Sequence, residues 1–388
     1  MNHLKRPIYD NEHLLLRQEM QRFFEENAIP HLEHWEAQGH ADKSFWKQLG
    51  ALGAMSVMIP QEFGGTAGDM RMASVIYEEI GRAGVAGVGG IGVHDIVAYY
   101  LQHHGSEALK NTWLPGAVSG DTLFAVAMTE PGAGSDLRGI KTRAELAGDH
   151  YILNGSKIFI TNGMMADAIA VVCRTDPTAE RGAERGALSI LLVDTNSDGF
   201  KRGRKLEKLG QKSQDVAELF FEDVSVPATN IIGTEGRGLN LLMAELPFER
   251  LLIGLIALGA AKAAYEHTIQ YVESRSAFGK NIATFQNTRY KLAELRTDIE
   301  VGEAFVDRCV AAQCENALTT EQASMCKLWL TEMQDRVIDQ CLQLHGGYGY
   351  MWEYPIAKLY ADSRVQRIYG GTSEIMKELI SRAPELDS

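Results

Sequence analysis

The spacing of apolar residues changes period twice along this chain, and few architectures accommodate that order. From Asn11 to about Gly120 the pattern is helical: Leu14, Leu15, Met20, Phe23 and Phe24 recur at helical spacing, as do Phe45, Leu49 and Leu52, and His94 to Gln102 continues the type. Between Leu123 and Val226 the period shortens to that of strands. Tyr151-Ile152-Leu153 and Lys157-Ile158-Phe159-Ile160 flank Asn154-Gly155, a pair suited to positive φ at both central turn positions, so a β-hairpin is expected there. Ala168 to Cys173, Leu188 to Val193 and Leu219 to Val226 read as further strands, and Thr175 to Gly186 as an exposed loop. After Pro227 the pattern returns to helix. Leu251 to Val272 is apolar almost all round, with Gly254 and Gly259 permitting close approach, which suits the central helix of a bundle. Two more periodic stretches follow, Thr288 to Cys314 and Thr320 to Leu344. The expected class is α+β: a helical domain over 1–122, a β-sheet domain over 123–230 and a helical bundle over 231–388.

Composition excludes several functions. A net charge of -13, without any basic run or stripe, argues against nucleic acid as a partner. No run reaches the roughly 18 apolar residues that a spanning helix requires. The cysteines, at 173, 309, 314, 326 and 341, are odd in number and show no C-x-x-C spacing, which indicates neither a disulfide framework nor a metal site. Their apolar neighbours make them small buried hydrophobes. Met1-Asn2-His3-Leu4-Lys5-Arg6-Pro7 leads into a charged segment without an apolar signal core, so the expectation is a cytoplasmic protein of bacterial source.

Four separated segments hold the candidate chemistry. The first is Ala127-Met128-Thr129-Glu130-Pro131-Gly132-Ala133-Gly134-Ser135-Asp136, followed by Lys157-Ile158-Phe159-Ile160-Thr161-Asn162-Gly163. Gly132-Ala133-Gly134 lacks the third glycine and following helix of a dinucleotide fingerprint, and alone reads as a turn. The second is Arg275-Ser276-Ala277-Phe278-Gly279-Lys280 with Gln286 downstream. An arginine fork suits phosphate, although Arg275 beside Glu273 also reads as a surface pair. The third is Gln343-Leu344-His345-Gly346-Gly347-Tyr348-Gly349-Tyr350, where paired glycines serve either a close backbone approach or a helix cap. The fourth is Ile368-Tyr369-Gly370-Gly371-Thr372-Ser373-Glu374.

Together these segments resemble the acyl-CoA dehydrogenase family, over nearly the full length from Asn11 to Arg382. The pairing of Glu245-Leu-Pro-Phe-Glu249-Arg-Leu-Leu with the segment from Tyr369 to Lys377 is most similar to the long-chain subgroup. The resemblance implies the fold of that family, with a C-terminal four-helix bundle, and FAD as cofactor. It implies that Met128, Thr129, Gly134 and Ser135 with Phe159, Ile160 and Thr161 hold the isoalloxazine ring, Met128 and Thr129 at its polar edge and Thr161 near N5. It further implies that Arg275, Phe278, Gln286, Gln343, Gly346 and Gly347 reach a cofactor shared with a neighbouring subunit of a homo-oligomer, expected to be a tetramer, and that Thr372 and Glu374 lie beside the cofactor.

Gly370 stands where members of this family commonly carry the catalytic glutamate. Abstracting the α-proton of a thioester needs a carboxylate, and Glu249 matches the position at which the long-chain and isovaleryl subgroups place theirs. Read alone, Glu249 is a helix acid near Pro247, capping or pairing with Arg250. Glu245 is the other acid nearby. The resemblance puts the Gly370 N–H and a ribityl hydroxyl on the thioester oxygen, Phe248, Arg250, Tyr369 and Gly371 near the thioester, and Ser135 near the pantetheine. The expected reaction converts an acyl-CoA, of long chain, to trans-2-enoyl-CoA, with electrons passed to an electron-transferring flavoprotein. Alternatives are a branched or terpenoid acyl-CoA of isovaleryl or citronellyl type, a flavin oxidase or oxygenase of the same fold, and an inactive acyl-CoA-binding subunit.

Overall fold

Residues 6–175 and 188–382 are described by the computed structural model, and both changes of period mark changes of architecture in it. Six helices come first: α1 (Asn11–Asn27), α2 (Leu32–Gln38), α3 (Lys43–Ala51), α4 (Met70–Ala83), α5 (Gly90–His104) and α6 (Glu107–Ser119). Asp69 and Ser106 cap α4 and α6, each side chain accepting from backbone N–H groups of the first turn.

Seven strands make one sheet: β1 (Phe124–Ala127), β2 (Arg143–Ala147), β3 (His150–Thr161), β4 (Ala168–Arg174), β5 (Leu188–Asp194), β6 (Phe200–Lys205) and β7 (Val216–Pro227). Its order is β1-β4-β2-β3-β7-β6, with β5 antiparallel on β4. Along β4, Ala168, Ala170 and Val172 face the helical core, while Ile169, Val171 and Cys173 face a second core inside the sheet. Both faces being covered, β4 and β5 read as unbroken apolar runs.

The expected hairpin at Asn154-Gly155 is not formed. β3 runs straight through the pair and the turn lies earlier, at Gly148, between β2 and β3. Asn154 and Gly155 form an irregularity in the β3–β7 ladder instead: Asn154 exchanges hydrogen bonds with Asp223, and a Cβ on Gly155 would stand 2.4 Å from Thr142 Oγ1. The glycine is there for the neighbouring strand's approach. β1, β2 and β6 were not anticipated; β6, Phe-Lys-Arg-Gly-Arg-Lys, is a charged edge strand with little apolar alternation. The expected loop after Thr175 lies outside the described residues, apart from Thr175 itself, whose hydroxyl is buried against Ser189 at 2.7 Å.

The rest is helical except for a two-stranded turn, β8 (Ser276–Ala277) with β9 (Lys280–Asn281). α7 (Gly238–Ser274) has 37 residues and starts well before the apolar stretch that predicts it, carrying Pro247 inside. α8 (Gln286–Cys314) and α9 (Thr320–His345) pack on it and on each other, with α10 (Pro355–Ser363) and α11 (Ser373–Ser381) laid against α9. A Cβ on Gly254 would meet Leu330 of α9, and one on Gly259 would stand 2.0 Å from the Glu78 carbonyl of α4, so both glycines mark close crossings as expected. Four of the cysteines are buried; Cys314, at the end of α8, is exposed, because the last turn leaves the bundle there. No described helix is long and apolar enough to cross a membrane.

Two buried polar groups fix α5. His94, held neutral by burial with its titration pushed down to about 4, meets the Ala117 carbonyl at 3.1 Å through Nε2 and accepts from the Phe124 N–H at 3.2 Å through Nδ1. Asp95 accepts from Tyr77 Oη at 2.6 Å and from Ser56 N and Oγ at 2.9 Å each.

In a helix interior Gly→Ala ordinarily stabilises by about 0.8–1.0 kcal/mol. Gly259→Ala is expected to reverse that sign and destabilise by roughly 1–3 kcal/mol, because the new methyl group overlaps the α4 backbone. Thermal or urea unfolding of the variant beside the parent measures the sign directly.

Candidate active site

Two parts of the chain form the walls of the candidate site. At the edge of the sheet, the 128–136 loop is fastened to β3 by a buried ion pair: Lys157 Nζ lies 2.9 Å from Glu130 Oε1 and donates to the Met128 carbonyl at 2.9 Å. Glu130 also accepts from the Lys141 and Thr142 N–H groups at 2.7 and 2.9 Å, and Ile158 N–H donates to Thr129 O at 3.0 Å. Burial alone would raise the Glu130 carboxyl; Lys157 and these donors hold it below its usual range. The pair thus brings Met128 and Thr129 alongside Phe159, Ile160 and Thr161. Phe159 takes φ +60° at an irregularity of β3 and is 64% exposed, while the Ile160 side chain is buried in the sheet core, so Ile160 offers backbone only. Gly134 and Ser135 stand on the open side of this loop.

The second wall is α7 with α5, α9 and the 370–371 turn. Glu249 and Arg250 are both buried, and the phenol of Tyr100, on α5, donates a short hydrogen bond to Glu249 Oε1. Burial pushes the Glu249 carboxyl up to about 7, against the lowering effect of Tyr100 and Arg250. Glu245 is engaged elsewhere: His103 Nδ1 and His104 Nε2 each meet its Oε1 at 2.9 Å and hold it ionised although burial opposes that. Phe248 packs edge-on against Tyr99 with ring centroids 5.0 Å apart, closing the α5–α7 seam.

Gly370 and Gly371 have φ +63° and +95°. A Cβ on Gly370 would stand 2.4 Å from Cδ1 of Ile253, which is one turn beyond Glu249, and 3.5 Å from Cε of Lys327. Lys327, buried on α9, donates to the Gly371 carbonyl at 2.6 Å, and burial together with Arg250 pushes its ammonium down to about 8. Arg250 donates to Ser324 Oγ at 3.3 Å, and its Nε is buried without a partner among the described residues. Burial raises the Tyr369 phenol to about 12, against the lowering effect of Gln211. Thr372 caps α11 by accepting from Ile375 N–H at 3.3 Å, and Glu374 is exposed in the first turn of α11.

The remaining candidates gather at the opposite end of α7. Arg275 does not pair with Glu273; its guanidinium lies over the Tyr348 ring at 5.6 Å and makes no ion pair among the described residues. Phe278, at φ +53° in the β8–β9 turn, is 96% exposed. Gln286 donates to Tyr290 Oη at 2.6 Å, and Gln343, Gly346 and Gly347 are exposed where α9 ends, Gly346 with φ +57°. Here the capping role and an open backbone coincide. Along α7, Arg275 lies about 39 Å from Glu249 at ~1.5 Å per residue.

Profiles of the three acyl-CoA dehydrogenase domains match residues 10–121 (N-terminal), 125–224 (middle) and 236–384 (C-terminal). The chain belongs to the acyl-CoA dehydrogenase family. It is 46% identical to the mitochondrial long-chain specific acyl-CoA dehydrogenase of Sus scrofa over 97% of this chain and 87% of that protein. With the mitochondrial isovaleryl-CoA dehydrogenase of Pongo abelii the identity is 36%, over 96% and 88%. The crystal structure of an acyl-CoA dehydrogenase from Geobacillus kaustophilus superposes with a TM-score of 0.95 at 44% identity, covering 99% of this chain and all of that one. The fold expected from sequence is therefore the fold found. The chain is an acyl-CoA dehydrogenase, an oxidoreductase acting on a CH–CH bond with FAD as cofactor.

The residues present fit that cofactor. Cβ atoms built on Gly132, Gly134, Gly346 and Gly347 would touch nothing within 4 Å, so backbone there is open to close approach. Phe159 and Phe278 are exposed, and the Arg275 fork over Tyr348 makes no ion pair among the described residues, so its N–H donors are of the kind a phosphate accepts from.

Sequence reasoning missed three members of this site: Tyr100, Lys327 and the Lys157–Glu130 pair. A lysine inside an apolar strand and another inside an apolar helix face were the available signals. Lys157→Met leaves Glu130 buried without its cation and is expected to cost about 3–5 kcal/mol. Its melting curve, run beside that of Lys201→Met on the exposed pair with Glu222, tests this; the control should shift little.

Proposed function

We propose that this acyl-CoA dehydrogenase acts on long-chain acyl-CoA, that Glu249 is its base, and that its electrons leave to an electron-transferring flavoprotein, in the cytoplasm. The supporting observation is the buried Glu249 carboxylate on the face of α7 whose next turn, at Ile253, touches Gly370. When bound, FAD supplies the two-electron oxidation by accepting a hydride from the β-carbon. The α-proton goes to Glu249, whose burial makes it basic enough to receive it near neutral pH. Negative charge then grows on the thioester oxygen. The Gly370 N–H is the donor assigned to it, and the buried cations Arg250 and Lys327 bias the surroundings in its favour. With Glu245 occupied by two histidines, Glu249 is the acid left for the role in the part of α7 that faces Gly370.

The 46% identity to a long-chain specific relative supports the chain length, and Ile253 bears on branching. A branched or terpenoid substrate is attractive if the missing acid at 370 leaves a void, but Ile253 Cδ1 fills the place of that side chain. An unbranched chain fits such a wall better. The 39 Å between Glu249 and Arg275 also supports a shared site: one chain offers the ring-binding loop and base at one place and the phosphate-binding arginine at another. Two copies then complete each cofactor site, in a homo-oligomer that we take to be a tetramer.

Anaerobic mixing with a panel of straight, branched and terpenoid acyl-CoAs, read as bleaching of the flavin, tests the assignment. Glu249→Gln is expected to slow bleaching by a factor on the order of 100 or more with normal FAD content, since general base catalysis is worth roughly 10²- to 10⁴-fold. In the parent, bleaching should accelerate as pH rises through about 7, where Glu249 loses its proton. Bleaching of Glu249→Gln at the parental rate would remove Glu249 as base, and faster bleaching by isovaleryl-CoA than by palmitoyl-CoA would remove the chain-length reading.

Arg275→Ala is expected to lose FAD and to weaken the oligomer, because among the described residues no other arginine fork stands over Tyr348. Absorbance in the flavin band together with the elution volume on a sizing column reports both. Full FAD retention at unchanged size contradicts the shared site.

A further inference from the structure

We propose that Tyr100 is a positioning residue for the base: its phenol clamps Oε1 of Glu249 and so presents Oε2 as the atom that receives the substrate's α-proton. The inference rests on Glu249 being the base and adds a residue to that reading.

The geometry is specific. Tyr100 sits on α5 and Glu249 on α7, both side chains are buried, and the hydroxyl gives its hydrogen to Glu249 Oε1. Among the described residues Tyr100 Oη makes no other hydrogen bond, and Oε1 is the sole oxygen of this carboxylate with a protein donor. A glutamate has rotatable bonds along its whole side chain; fixing one oxygen leaves the other in a defined direction, which is what a proton transfer over hydrogen-bond distance requires. The phenol cannot itself be the base, because burial and the adjacent carboxylate keep it protonated far above neutral pH. Tyr100 is in turn held by its helix: His94 ties α5 to the Phe124 N–H and Asp95 ties it to α4 through Tyr77.

The charged and titratable groups around Glu249 are Tyr100 from α5, Arg250 and Glu245 on α7 itself, His103 and His104 acting through Glu245, and Lys327 of α9 beside Arg250. Burial raises the Glu249 carboxyl, and the Tyr100 bond is the first influence that opposes it. Removing the donor therefore moves titration of Glu249 upward.

The test uses full-length, FAD-loaded enzyme. Protonation of Glu249 is followed by infrared difference titration, reading the carboxylic C=O band that is absent in Glu249→Gln, and bleaching by palmitoyl-CoA is followed anaerobically over the same pH range. For Tyr100→Phe, loss of a hydrogen bond to a charged group predicts an upward shift of the titration and of the rate profile by about one pH unit or more. Bleaching at pH 7 should be about fivefold slower or more and recover toward the parental value in alkali. Placing 2,3-difluorotyrosine at 100 preserves shape while strengthening the donor, and should shift both curves to lower pH; this second variant decides the matter if Tyr100→Phe does not fold. Parental titration and parental rates in the folded variants overturn the role of Tyr100. If Glu249→Gln is inactive in the same series while the Tyr100 variants behave as the parent, the clamp fails and the base stands; if Glu249→Gln bleaches normally, both fail.

Discussion

The contact of α7 with α4, backbone against backbone, is the constraint on which the rest of the molecule depends. Gly81 and Gly259 remove the side chains that would separate the helices, the missing Cβ positions lying about as close to carbonyl oxygens as a bond and a half. Such an approach buries Glu78, and burial alone would drive its carboxyl upward. Arg6, Lys262 and Arg17 surround it and hold it far below its usual range instead, joining α4 to α1, α7 and the segment before α1. Glu303 and Asp307 of α8 share the same cations. α7 is thereby fixed in azimuth as well as in place; it carries Glu249 three turns in from its start and Arg275 at its C-terminal end.

Much of this was legible in the order of residues, for identifiable reasons. The long helices were visible because a buried face repeats at helical period, as Leu251 to Val272, Thr288 to Cys314 and Thr320 to Leu344 do, and because Gly254 and Gly259 stand where helices touch. β4 and β5 were visible as apolar runs because both of their faces are covered. Asn154-Gly155 misled because the turn residues of a hairpin are also the residues tolerated at a strand irregularity; which applies depends on Thr142, the residue just before β2. α7 begins at Gly238, ahead of the apolar stretch from Leu251, with Leu241, Leu242 and Pro247 buried and Met243 and Ala244 exposed, so its first turns are less uniformly apolar than the rest. Cys314 looked buried by its neighbours and lies beyond the edge of the bundle that buries them.

The site divides in the same way. The residues proposed to act through backbone or as parts of a motif, such as Met128, Thr129, Gly370 and Arg275, came from a resemblance of whole segments. Those that act through a partner distant in sequence did not. Tyr100 is one aromatic among several on α5, and nothing local distinguishes it from Tyr99, which meets the Met58 N–H at 3.4 Å. Lys327 is one lysine on a helix until α11's preceding turn is laid over it. Glu245 and Glu249 are equivalent by spacing; the pair His103 and His104, on another helix, separates them.

The left-handed turn at Gly370 also bears on how such an enzyme can change over generations. A side chain there must adopt a backbone conformation that costs roughly 1–2 kcal/mol and must displace Ile253 as well. With Glu249 as base, an acid at 370 has to take the left-handed backbone and push aside the end of the Ile253 side chain, so positions 249, 253 and 370 are coupled and a relocation of the base involves all three.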